Sequence, residues 1–211
     1  MKIDPQINAA SAQRLVGLAP LVSDRTRLLI LGSFPGVASL AAQQYYAHPQ
    51  NQFWAILTAI FACSPSPVCK VSYKRCSNWL LEQGLGVWDV YASCERAGSL
   101  DSAIRNAQVN DFASLAQRCP NLAAIAHNGG ESFKHAKRVT WSLSAAGPPQ
   151  GAKAASGGSA AREAASVGAT PLPVYRLPST SPANASWSFE RKLAAWREVM
   201  IAAGLVHSRP L

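Results

Sequence analysis

The chain has 211 residues, 48% of them hydrophobic, which suits one compact domain over 1–211 and would cramp a second full core. Its 20 Lys and Arg against 11 Asp and Glu give a net charge of +9 and a pI near 9.7, a balance that suits a polyanionic partner such as nucleic acid, although a GC-rich genome that favours Arg and Ala would produce it with no partner at all. The N-terminal segment lacks a charged region leading into an apolar run, and nothing in the chain reaches the roughly 18 to 20 unbroken apolar residues of a membrane span, so a cytoplasmic protein with no membrane contact is expected.

Residues Arg27 to Gly32 form a short apolar run closed by glycine, as expected of a buried strand in a parallel sheet. The run leads directly into the turn Gly32, Ser33, Phe34, Pro35, Gly36. Between Ser39 and Trp54 polar and aromatic residues crowd a stretch with no periodicity, among them Tyr46, His48 and Asn51. Helical spacing then puts Phe53, Trp54, Leu57, Ile60 and Phe61 on one face. Cys63, Cys69, Cys76, Cys94 and Cys119 are odd in number and include no C-x-x-C pair, which points to reduced thiols. The clustering of the first three leaves an iron-sulfur cluster as an alternative, at spacings foreign to the common cluster motifs.

A helix is predicted from Tyr73 to Gln83, ended by Gly84, and a strand from Gly86 to Tyr91. Shorter helices over Asp111 to Arg118 and Glu131 to Arg138 bracket a strand at Leu122 to His127. Lys134, Lys137 and Arg138 would share a face that meets phosphates or simply faces water. Residues 147–170, mostly Gly, Ala and Ser, read as a flexible surface insertion because they offer little apolar surface to offset ordering entropy. A strand at Leu172 to Leu177, weakened by Pro173, precedes a last helix from about Ser188 to Ala203, with Phe189, Leu193, Trp196 and Met200 inward and Gly204 closing it.

Strands alternating with helices predict an α/β fold of three layers, α/β/α, about a central, mainly parallel four-stranded sheet, with ligands bound beyond the carboxyl ends of its strands. The Gly32 to Gly36 turn stands at such an end, where exposed backbone N–H groups suit a phosphate or a flat ring. A generic strand-to-helix loop explains the same two glycines and proline.

Three segments in order carry a more specific signal: G-S-F-P-G at Gly32 to Gly36, Q-Y-Y-A-H-P-Q-N-Q-F-W at Gln44 to Trp54, and L-P-S-T-S-P-A-N at Leu177 to Asn184. Together they resemble the uracil-DNA glycosylase superfamily, and within it the hypoxanthine-DNA glycosylase branch. Gly86 to Tyr91 and Ala126 to Gly129 also fall where that family keeps strand ends, so the resemblance spans nearly the whole chain, with 147–170 as the one large departure.

The resemblance implies a monomeric enzyme without metal or organic cofactor whose partner is DNA containing a deaminated base. Such an enzyme turns the base out of the stack and hydrolyses its glycosidic bond. Most relatives position the attacking water with Asp or Asn two residues after the first glycine, where this chain has Phe34, a residue better suited to stacking on a ring. The catalytic role therefore passes to Asn51, whose amide would orient water or bond the base, with cap of the following helix as its alternative. His48 would donate a proton to the leaving base or merely shape a turn. Asp89 would read the base edge, act as base for water, or cap its loop. Gly32, Ser33, Phe34, Pro35, Gly36, Tyr46, Asn128 and Ser179 would form the substrate pocket, although the Asn-Gly pair at Asn128 also suits a plain turn. Ser179, Thr180, Ser181 and Asn184 would hold phosphates. A uracil glycosylase of broader specificity, a non-catalytic damage-binding module and a small-molecule α/β enzyme are the rival readings.

Overall fold

A computed structural model describes residues 14–61, 72–143 and 172–207. Its centre is a four-stranded parallel sheet of β2 (Leu28–Gly32), β3 (Leu85–Asp89), β6 (Ala124–Asn128) and β7 (Val174–Leu177), in the order β3-β2-β6-β7. Every residue of β2, β3 and β6 is buried, which is why these strands appear in the sequence as unbroken apolar runs without alternation. The helices are α1 (Val37–Ala42), α2 (Phe53–Ile60), α3 (Tyr73–Glu82), α4 (Phe112–Arg118), α5 (Gly130–Phe133), α6 (Ala136–Leu143) and α7 (Phe189–Ala202). α2 packs on α7 and α4 on α6, giving the expected three-layer α/β/α arrangement.

Local chemistry accounts for the helix ends. Asp111 caps α4, its Oδ1 accepting from the backbone of Ala113 and Ser114, and the Ser188 hydroxyl accepts from Arg191 N at the start of α7. Gly84, at φ +74, turns the chain from α3 into β3. Trp196 and Met200 of α7 are buried as expected, while Phe189 and Leu193 pack on the core from its edge.

Four expectations need correction. The strand predicted from Gly86 to Tyr91 is two: β3 stops at Asp89, and β4 (Tyr91–Glu95) leaves for a second sheet. That sheet is antiparallel, in the order β1 (Arg14–Val16), β4, β5 (Arg105–Val109), and it was not foreseen. The helix predicted from Glu131 to Arg138 breaks between α5 and α6, so Lys134 precedes the helix that carries Lys137 and Arg138 and the three share no single helical face. Lys134 instead pairs with Glu131 at 2.6 Å. Of the cysteines, Cys94 and Cys119 are buried free thiols but Cys76 is disulfide-bonded, an odd total being no bar to one pair. Cys63, Cys69 and the segment 147–170 lie outside the described residues. Among the described residues no helix is long and apolar enough to cross a membrane, and no group of three or more His, Cys, Asp or Glu is arranged to hold a metal ion.

Candidate active site

The carboxyl ends of the parallel strands open into a cleft of about 840 Å³. It is lined by Gly32 to Gly36, Tyr46, His48, Asn51, Asp89, Asn128, and Ser179, Thr180, Ser181 and Asn184, all singled out in the sequence, whereas Lys134, Lys137 and Arg138 do not line it. Parallel register explains the convergence, because Gly32 sits beside Asp89 and Asn128 beside Leu177, so four chain segments reach one rim. The Gly32 to Gly36 turn is tied down by Val90 N to Gly32 O at 2.9 Å and Tyr91 N to Ser33 O at 3.0 Å.

One wall of the cleft holds polar groups without partners. Asp89 is buried, its Oδ2 has no hydrogen bond, and a Cβ at Gly32 would collide with its Oδ1, so only glycine leaves this carboxyl room. Burial, reinforced by the charge of Asp101 and opposed by Arg96, pushes the Asp89 carboxyl up to about 7. The hydroxyl of Tyr46 is also buried and unpartnered, and burial holds it un-ionised at all ordinary pH. Tyr46 has a left-handed φ of +56, a costly conformation for a bulky residue, and its ring stacks on Phe53 at 3.9 Å.

The polar groups around Asn128, by contrast, are engaged in hydrogen bonds. Asn128 Nδ2 donates to Thr180 Oγ1 at 3.0 Å and Asn128 Oδ1 accepts from Thr180 N at 2.9 Å. Thr180 is fully buried, and with both its hydroxyl and its amide bonded to Asn128 it braces the loop. Gln52 N donates to Thr180 O at 3.0 Å, and the buried Lys192 Nζ donates to Gln52 Oε1 at 2.8 Å. Ser179 and Ser181 hydroxyls accept from the backbone of Ser181 and Ala183, and Asn184 Nδ2 donates to Ser179 O, so this loop is folded on itself.

Asn51 also lines the cleft. Its Oδ1 accepts from Phe53 N at 3.0 Å, one residue ahead of Gln52, which holds the N-cap position of α2, and its Nδ2 has no partner among the described residues. His48 is exposed, with Nδ1 accepting from Gln50 N at 3.2 Å, so only Nε2 is free for a ligand. Phe34 is buried, and the Arg96 guanidinium lies 5.0 Å from its ring centroid, covering one face.

Sequence reasoning missed Arg96 and Asp101. Arg96 is buried, donates to Pro35 O, and keeps Nε and Nη1 unpartnered. Asp101, in a short 3-10 turn (Asp101–Ala103), accepts from Ser33 Oγ at 2.6 Å and is held above its ordinary range by burial, although solvent reaches it at the cleft mouth. Neither carries a periodic or motif signal; only the glycine-serine turn between them marks their segment as a loop.

The family model of the uracil DNA glycosylase superfamily matches residues 19–200. Two curated proteins named hypoxanthine DNA glycosylase, from Methanosarcina barkeri and Methanosarcina acetivorans, are each 34% identical over 119 residues, which is 56% of this chain and 73% of theirs. A solution NMR structure of a candidate uracil DNA glycosylase from Methanosarcina acetivorans superposes with a TM-score of 0.66 at 26% identity, covering 91% of this chain and 99% of that one. A match across the strands that build the cleft, together with these relatives, makes the chain a member of the uracil DNA glycosylase superfamily.

Proposed function

We propose that this chain is a monofunctional DNA glycosylase that receives a deaminated base, hypoxanthine first, extruded from DNA into this cleft, and hydrolyses its glycosidic bond. It acts as a monomeric, cytoplasmic, single-domain enzyme. The observation that carries the reading is Asp89, a buried carboxyl with an unpartnered oxygen on the cleft wall, close to neutrality in its titration. A protonated carboxyl presents an O–H donor beside a C=O acceptor. The lactam edge produced by deamination presents the complement, a carbonyl oxygen beside a ring N–H, so two parallel hydrogen bonds form with no buried charge. Uracil carries the same edge; the name shared by both curated relatives favours hypoxanthine.

In the reaction the bond between the base nitrogen and C1′ breaks, the base keeps the electron pair, and the oxygen of a water bonds to C1′. One water proton ends on the base and the other on the sugar hydroxyl. With its Oδ1 accepting from Phe53 N, Asn51 contributes Nδ2, a donor suited to a developing negative charge on the base or to the water oxygen. Tyr46 supplies a ring backed by Phe53 and a hydroxyl with no other duty. His48 offers Nε2 from the mouth, and Ser179, Ser181 and Asn184 offer the phosphates a folded loop.

The test is incubation with oligonucleotides bearing one inosine or one uracil, followed by alkaline cleavage of abasic sites. Cleavage at inosine is expected, and Asn51→Ala should nearly abolish it while sparing DNA affinity. Binding without cleavage at either base would leave a damage-binding module, and no binding at all would leave a small-molecule enzyme.

A further inference from the structure

The cleft reaches further than one base needs. Its volume of about 840 Å³ lies in the range that encloses a whole drug-sized ligand. Asp89 ends β3 at one edge of the parallel sheet and Leu177 ends β7 at the other. With neighbouring strands about 4.8 Å apart, the order β3-β2-β6-β7 sets these two ends about 14 Å from each other. The groups that the proposed reaction uses gather on Asp89, Tyr46 and Asn51, and the β7 end has a chemistry of its own.

Trp187 lines the cleft from the short segment between the Ser179 to Asn184 loop and α7. That segment is braced: Ser186 Oγ donates to Asn184 Oδ1 at 3.1 Å, and Trp196 Nε1 of α7 donates to Pro178 O, just beyond β7, at 3.1 Å. The Arg191 guanidinium in the first turn of α7 lies 4.5 Å from the Trp187 ring centroid and covers one face. Arg176, on β7, is the one lysine or arginine that lines the cleft among the described residues. Its guanidinium lies 5.7 Å from the Phe133 ring centroid, and a Cβ at Gly130 would stand 3.2 Å from its Nη2, so glycine gives it room at the rim. Among the described residues neither Arg176 nor Arg191 pairs with a carboxylate.

An aromatic ring held in place, together with guanidinium groups that lack a counter-ion, is the combination that holds an unpaired nucleic-acid strand. Every base has a flat face to lay on a ring, and the phosphates that join the bases require cations. We propose that the β7 end of the cleft is a second nucleotide subsite: Trp187 stacks on the base adjoining the damaged one, Arg176 and Arg191 meet the phosphates on either side of that neighbour, and the substrate strand enters the cleft unpaired over at least two nucleotides. A single strand or a frayed end supplies such a strand directly, whereas a duplex must open a second base pair. This inference rests on the glycosylase reading for the identity of the damaged base.

The test measures binding of single-stranded oligonucleotides that carry one inosine, protected from cleavage by a 2′-fluorine, with either an ordinary nucleoside or a stable abasic residue on its 5′ or 3′ side. Removing the base from one of the two neighbours should weaken wild-type binding by about tenfold. Trp187→Ala should bind the intact oligonucleotide as weakly and show no further loss with the abasic neighbour, and Trp187→Phe should restore the dependence. Arg176→Gln should reduce the slope of log affinity on log salt by about one. Wild-type binding indifferent to both neighbours, or a Trp187→Ala variant that responds to the abasic neighbour as wild type does, overturns the subsite. A Trp187 effect that vanishes only when the inosine base itself is removed also overturns it, since the ring then contacts the damaged base. Cleavage of the unprotected oligonucleotide is scored separately: neighbour dependence without cleavage at inosine fails the glycosylase reading alone, and cleavage without neighbour dependence fails the subsite alone.

Discussion

The two walls of the cleft are built on opposite principles. On the side of Asn128, Thr180, Gln52 and Lys192, successive hydrogen bonds tie a strand end, a loop, the segment before α2 and the last helix together. On the side of Asp89 and Tyr46, buried polar atoms are left without partners. Unsatisfied buried groups are costly and persist where something else needs them, whereas saturated ones specify a shape. On the proposed reading the Asp89 side meets the ligand and the Asn128 side supports it, while Asn51 has its Oδ1 engaged with Phe53 N.

The sharpest way to break this contrast is to fill the unsatisfied wall. Gly32→Ala drives a methyl into Asp89 Oδ1; rates on inosine should fall by about 100-fold or more, with roughly 1–3 kcal/mol of stability lost to overpacking. Activity near wild type would show that Asp89 can move aside freely. Asn128→Ala attacks the saturated wall and should cost roughly 1–3 kcal/mol in denaturant unfolding, because the Thr180 N–H is left buried without an acceptor.

A pH series separates the walls more gently. The Asp89 carboxyl titrates near 7 in the folded protein against 3.8 unfolded, so the folded state holds that proton more tightly. Its contribution to stability is complete below about 3.8 and is lost as pH rises through about 7. Relative to Asp89→Asn, the wild-type Tm should therefore decline over that window, and parallel curves would refute a buried neutral carboxyl. The smallest effect is expected from Lys192→Met. Removing a buried ammonium relieves its desolvation but orphans Gln52 Oε1, so Tm should move little. The loosened segment carrying Asn51 should lower kcat by about threefold to tenfold. A large loss of Tm with kcat unchanged would make Lys192 a purely structural residue.

The same division explains what could be read from sequence. The parallel strands were legible because burial on both faces writes a continuous apolar run. The second sheet was not: β5 is Arg-Asn-Ala-Gln-Val, exposed over most of its length, and β1 has three residues, so neither carries a pattern. β4 was hidden because it follows β3 after a single residue and extends the same run. At the site, the motif residues were found because they cluster in sequence. Asp101 and Arg96 were missed because their partners, Ser33 and Pro35, lie 68 and 61 positions away, and no local spacing encodes such a contact. The burial of Thr180 was not legible because a hydroxyl in a loop suggests solvent, and only the fold brings Asn128 to it from 52 positions away.

The pairing of Gly32 with Asp89 also makes the cleft's chemistry a matter of odd and even positions. Side chains alternate faces along a strand, so a slip of one residue in β3 would put Trp88 or Val90 in the place of Asp89 on the pocket side. Loops between strands can gain or lose length without that consequence, since hydrogen bonding between neighbours resets the phase. The substrate contacts are thereby insulated from most insertions and deletions in the chain, and exposed chiefly to those within the five residues of β2 or of β3.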